Sequence, residues 1–263
     1  MKLKVYCLKS LLILFLFESH GQNIVKHKIV GEWQSMDVSG DSGLYNFRYD
    51  QTMEVSSQYG TLGQGIQTFK NGRQRKILLR YEVNEKVSPG QIDFLFYENS
   101  YDNLIGKREG IFELLSDNVL RFAINYDTAN LKRPKMFNDS RELGILVRKD
   151  HELKVTGCDR YKNGKFKYVD VFFGTILIER HDDIQVQTDS NDNRIKFKVK
   201  WLSDCSYEVT PIEVFYNNVL VTNPPVQVLT VDMIAIKSNS YVYVTTLQDS
   251  NIHLAGELIQ IQN

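Results

Sequence analysis

Few side chains in this chain are spaced to do chemistry. His181-Asp182-Asp183 is the one local cluster with acid–base potential, since an imidazole beside a carboxylate can relay a proton. It falls between the apolar stretches 176–178 and 184–187, so it reads as the solvated turn of a hairpin. The other histidines beyond residue 21 are His27, His151 and His253, and no two of the four stand at metal-ligand spacing. No Gly-x-Ser-x-Gly elbow, His-Glu-x-x-His pair or phosphate-binding loop occurs. The 32 Asp and Glu residues could hide a glycosidase-like pair, but such a pair needs two carboxyl groups roughly 5–10 Å apart in space, which a sequence does not display. The sequence therefore assigns no catalytic residue, no metal ligand and no cofactor.

Three other features could build a site or a brace. Cys158 and Cys205 are the two cysteines beyond residue 21, and in an oxidising compartment two cysteines most simply pair. A bridge across their 47-residue separation would add about 4 kcal/mol by chain entropy. Two reduced, buried thiols are the alternative. Lys196, Lys198 and Lys200 alternate with Ile195, Phe197, Val199 and Trp201, the pattern of a half-buried strand with a cationic outer face. That face could meet an anionic glycan or headgroup, or it could simply be solvated and deter edge pairing. The chain also carries 14 Tyr and 14 Phe. Tyr45, Phe47, Tyr81, Phe94 and Phe96 fall on inward strand positions, where they would either wall a pocket for a small apolar ligand or pack as plain core.

The N-terminus carries an address. Lys2, Lys4 and Lys9 precede an unbroken apolar run at 11–17, and Ser19 and Gly21 form a small-x-small pair. Residues 1–21 thus read as a secretory signal peptide cleaved before Gln22. The run is far shorter than the ~20 residues a spanning helix needs, and no later run is long enough, so no transmembrane span is expected in the mature chain. The expected destination is the periplasm, the cell surface or the medium. Lys+Arg and Asp+Glu number 32 each, which gives no footprint of a nucleic-acid binder.

The elements that must position these residues are strands. Period-2 alternation recurs from residue 29 onward. Tyr45, Phe47 and Tyr49 share a face, as do Ile77, Leu79, Tyr81 and Val83, then Ile92, Phe94 and Phe96, then Leu120, Phe122 and Ile124. Further strands are expected at 29–36, 52–58, 109–115, 143–149, 226–237 and 241–247. Asn71-Gly72, Ser116-Asp117-Asn118, Asn163-Gly164 and residues 237–240 read as turns, and Asn223-Pro224-Pro225 as a loop. Residues 127–142 are the longest irregular stretch of the first half. Short, regularly spaced strands predict an all-β fold of antiparallel barrels or sandwiches. With 263 residues, two domains are expected, 22–150 and 151–263; one larger β domain is the alternative.

A resemblance enters at this point. Gly31-Glu32-Trp33 is similar to the Gly-x-Trp signature of lipocalins. Residues 110–114 and 118–122, followed by Arg133-Pro134 and Phe137 and by a strand ending in Arg148, resemble a block of lipocalin-like bacterial domains over about 29–149. That resemblance implies a closed antiparallel barrel whose first-strand Trp33 lies beneath the late-strand Arg148. The second half, from Cys158-Asp159-Arg160-Tyr161-Lys162-Asn163-Gly164-Lys165-Phe166 to Trp201 and Asp204-Cys205, resembles small secreted bacterial proteins. It implies a compartment and a fold style, not a reaction. Three functions stay open: an exported non-catalytic protein holding a small, partly apolar ligand in the N-terminal barrel, an envelope module that engages protein or glycan without a pocket, and an enzyme with a site scattered over loops.

Overall fold

The computed structural model describes residues 28–36, 43–57, 60–63, 66–68, 74–124, 132–137, 142–170, 174–222, 227–248 and 253–261. The leader at 1–21, His27, the Asn71-Gly72 turn and the Asn223-Pro224-Pro225 loop lie outside the described residues.

Ten strands form the first unit: β1 (Gly31–Ser35), β2 (Leu44–Phe47), β3 (Thr52–Ser57), β4 (Gly60–Leu62), β5 (Ile66–Thr68), β6 (Gln74–Asn84), β7 (Gly90–Glu98), β8 (Leu104–Ser116), β9 (Val119–Ile124) and β10 (Glu142–Arg148). Eight of them close into a ring. Neighbours in the chain pair antiparallel, β10 returns to β1, and β3 pairs with β6, while β4 and β5 are short additions. Nine strands form the second unit: β11 (Gly164–Asp170), β12 (Gly174–His181), β13 (Ile184–Thr188), β14 (Arg194–Trp201), β15 (Ser206–Tyr216), β16 (Val219–Leu220), β17 (Leu229–Ile236), β18 (Ser240–Leu247) and β19 (His253–Ile261). Here β14 pairs with β15 and β19 with β11, which again closes eight strands, with β16 as an extra. The protein is two closed, antiparallel, eight-stranded β-barrels. Among the described residues no helix is long and apolar enough to cross a membrane.

Alternation explains the ladders. Ile77, Leu79 and Tyr81 turn inward from β6, and Trp33, Phe47, Phe94 and Phe122 meet them in one core. Arg133 runs back from the irregular segment and donates to the Gly110 carbonyl and, at 2.6 Å, to Asp93, which straps that segment onto the barrel. The Ser116-Asp117-Asn118 turn joins β8 to β9, and residues 237–239 join β17 to β18. Tyr49 departs from expectation. β2 ends at Phe47, and the chain reverses at residues 48–51, with Gln51 at φ 65°, leaving Tyr49 exposed rather than on the Phe47 face. At Asn163-Gly164 the chain bends after a short 3-10 helix, and Gly164 opens β11.

A third apolar cluster lies between the barrels. Val119 and Ile145 from the first pack against Ile234, Ala235, Val242 and Val244 from the second. Every residue of β9 is buried: Val119 joins this cluster, and Leu120, Phe122 and Ile124 join the core of the first barrel.

Candidate functional site

The second barrel has one finished end. Cys158 and Cys205 form a disulfide that ties the incoming segment to the turn between β14 and β15, with Cα atoms 5.3 Å apart. The 3-10 helix Asp159–Tyr161 follows and drops the Tyr161 ring wholly into the barrel. The Tyr161 hydroxyl shares its proton between the carbonyls of Lys237 (2.9 Å) and Ser240 (3.0 Å), fastening the plug to the turn after β17.

Arg180, inward on β12 and 2% exposed, sits behind this plug. Its Nε donates to Gln185 Oε1 at 2.9 Å and its Nη1 to the Tyr161 carbonyl at 2.9 Å. Its Nη2 donates to the hydroxyls of Tyr207 at 2.7 Å and Tyr241 at 3.2 Å. The Tyr207 ring centre is 4.4 Å from the guanidinium carbon and that of Phe166 5.4 Å, close enough for cation–π attraction. Among the described residues no carboxylate stands within ion-pair distance of Arg180; the groups that act on its charge are the two phenols. Burial pushes the Tyr241 phenol well above its ordinary range, so that hydroxyl stays protonated. The buried cation is therefore held by dipoles and rings alone.

Beyond this floor lies a partly open cavity of about 750 Å³, shared between the barrel interior and the space beside β19. Gln185 and Tyr207 form its floor, and Ile178, Phe197, Val209 and Val231 its walls. Tyr243 lies across Gly256 on the neighbouring strand, where a Cβ would stand 2.6 Å from the phenol oxygen. The space continues beside β19 into a groove faced by Pro89, Phe137 and Leu143 of the first barrel. At that end Arg121 pairs with Glu113 (2.6 Å) and Glu257 (2.7 Å), and its guanidinium lies 3.9 Å over Phe137. Lys237 reaches the same two acids at 2.9 and 3.5 Å. Burial pushes the Glu257 carboxyl up, but Arg121, the Ser240 hydroxyl and Lys237 outweigh it and hold it below the ordinary glutamate value.

The five aromatic residues that the sequence offers as a ligand wall come together in the first barrel. Phe47, Tyr81 and Phe94 are buried core, with Tyr45 and Phe96 packed against them. Phe47 meets Tyr81 edge-on at 5.1 Å, and Phe122 lies between Tyr45 (6.0 Å) and Phe94 (5.9 Å). Burial, with Asp50 nearby, pushes the Tyr81 phenol up to about 12, so it stays a donor to the Arg48 carbonyl at 2.7 Å. None of the five lines the cavity in the second barrel. Trp33 and Arg148 are register partners across β1 and β10, with the guanidinium 4.3 Å over the indole. Arg148 also donates to the carbonyls of Lys28, Val30 and Asp117, at 2.7, 3.1 and 2.8 Å, so it seals that end of the barrel.

His181 and Asp182 pair at 2.8 Å on an exposed turn, with both side chains more than two-thirds exposed. The lysine stripe faces outward, with Lys196 paired to Glu213 and Lys200 to Glu208. Among the described residues no group of three or more His, Cys, Asp or Glu could hold a metal ion. Sequence reasoning missed Arg180 and Gln185. Arg180 has the parity of Ile176 and Ile178, so continuing that alternation two residues further would have turned it inward. Compared with protein-family models and with curated proteins, the chain finds no match.

Proposed function

We propose that this is an exported, non-catalytic binding protein that holds a small, partly apolar molecule in the second barrel. The observation that carries the reading is the cavity of about 750 Å³, within the range of about 300–1,000 Å³ usual for small-ligand sites. Within the barrel its walls are largely apolar with Gln185 and Tyr207 at the floor, while the charged groups Glu113, Arg121, Lys237 and Glu257 stand at the groove end. Export is supported by the leader pattern at 1–21 and by the Cys158–Cys205 disulfide, a bond that persists in oxidising compartments. On this reading the first barrel, which resembles lipocalin-like domains, is the scaffold that abuts the mouth of the site rather than the ligand holder.

The test is titration of the mature chain with the neutral probe N-phenyl-1-naphthylamine, alongside Val209→Trp. Binding to the parent, lost in the variant with its fold intact, is the expected result. A probe that never binds, or binds the variant equally, would sink the proposal.

A second reading has its own observation. Tyr216, Val219 and Leu220 on the β15–β16 hairpin are 62%, 67% and 52% exposed, an apolar projection suited to an envelope protein or glycan partner. Replacing all three with Ser would leave probe binding intact and, on this reading, abolish retention on cell envelopes.

A further inference from the structure

We infer that the second-barrel site takes an amphipathic anion, a carboxylate head on an apolar body, with its head seated on Gln185 and Tyr207 above Arg180. The inference rests on the small-ligand reading and names the class of ligand. Arginine can only donate hydrogen bonds, so Gln185 must turn its amide oxygen to the Arg180 Nε, 2.9 Å away. That leaves the Gln185 NH₂ group facing the cavity it lines, with no acceptor among the described residues. Tyr207 and Tyr241 touch hydroxyl to hydroxyl at 3.1 Å, and either can donate. When Tyr241 donates, the Tyr207 proton is free to point at a ligand. The floor then offers two donors and no unshared acceptor of comparable strength.

Charge selects the head further. Arg180 carries a full positive charge, 2% exposed, with no acid opposite it among the described residues. In a water-poor interior that charge acts at longer range than in solution. An anion on the Gln185–Tyr207 floor would complete the pairing that the fold leaves open. A cationic head would meet like charge and donors only. The acids that line the same space, Glu113 and Glu257, stand at the groove end and are held by Arg121 and Lys237. Walls of Ile178, Phe197, Val209 and Val231 then require an apolar body behind the head.

The test is competition against N-phenyl-1-naphthylamine by dodecanoate, dodecanol and dodecyltrimethylammonium on the whole mature chain. Dodecanoate is expected to compete at least about tenfold better than dodecanol, and the cation not to compete. Gln185→Glu keeps an acceptor for the Arg180 Nε while repelling the ligand, so it should erase the advantage of dodecanoate over dodecanol. Tyr207→Phe serves as a second variant if the first fails to fold, with a smaller loss in the same direction. Equal competition by dodecanoate and dodecanol, or a preference that survives both variants, overturns the anionic head and leaves the small-ligand reading standing. Failure of the neutral probe to bind the parent overturns that reading itself.

Discussion

The two barrels share one strand plan and fill it differently. In the first, Gly144 stands opposite Phe122 so closely that a Cβ would come within 2.4 Å of the ring, and Gly90 meets Phe112 in the same way. Aromatic rings fill the space over these glycines, and fourteen buried apolar residues make one continuous core. In the second, the interior contains a guanidinium. Its hydrogen bonds are directional, so Gln185, Tyr161, Tyr207 and Tyr241 are fixed at one end rather than free to collapse into the middle. A polar floor stays where its bonds put it and keeps the space above it open.

The sharpest way to break this contrast is Arg180→Met. The change strands two phenols, an amide oxygen and a carbonyl in a buried site, a loss of roughly 3–5 kcal/mol. Denaturant unfolding should show the second barrel melting early while the first, read through Trp33, holds. Removing the disulfide with a Cys158→Ala/Cys205→Ala pair comes next, at about 2–4 kcal/mol for a loop of 47 residues. Its effect should be reproduced by adding reductant to the parent, and matched unfolding midpoints check this. Gly144→Val addresses the other barrel. The added side chain displaces the Phe122 ring, at about 1–3 kcal/mol of overpacking, and a thermal melt should show the first barrel losing stability instead of the second.

Alternation made these strands legible because one face of each is apolar and the other polar, as in 195–201 with its outward lysines. The Ser116-Asp117-Asn118 turn was legible for a local reason, since its side chains suit a tight reversal. Tyr49 was misassigned because alternation does not say where a strand stops; a reversal with positive φ at Gln51 intervened. The candidate site was mostly illegible. Gln185 and Arg180 are ordinary strand residues until β12 and β13 pair, and that register brings them face to face. The groove between the barrels was also out of reach, since Arg121 and Glu257 are 136 residues apart in the chain.

The smallest effect sharpens the comparison at the junction itself. The Glu257 carboxyl is held below its unfolded value by Arg121, Ser240 and Lys237 despite burial. Its contribution is therefore complete above the ordinary glutamate range and is lost as pH falls through the lowered folded value. Thermal melts in increasingly acidic buffer should show a destabilisation that Glu257→Gln removes.

The bridge between Cys158 and Cys205 spans the exposed turn at residues 189–193. A protease that nicks this turn would leave two fragments still covalently joined, and β13–β14 and β11–β19 pairing would keep them in register. Such a clipped molecule runs as a single band on a denaturing gel until a thiol is added. Wear in a protease-rich setting would thus break the backbone without shedding a piece.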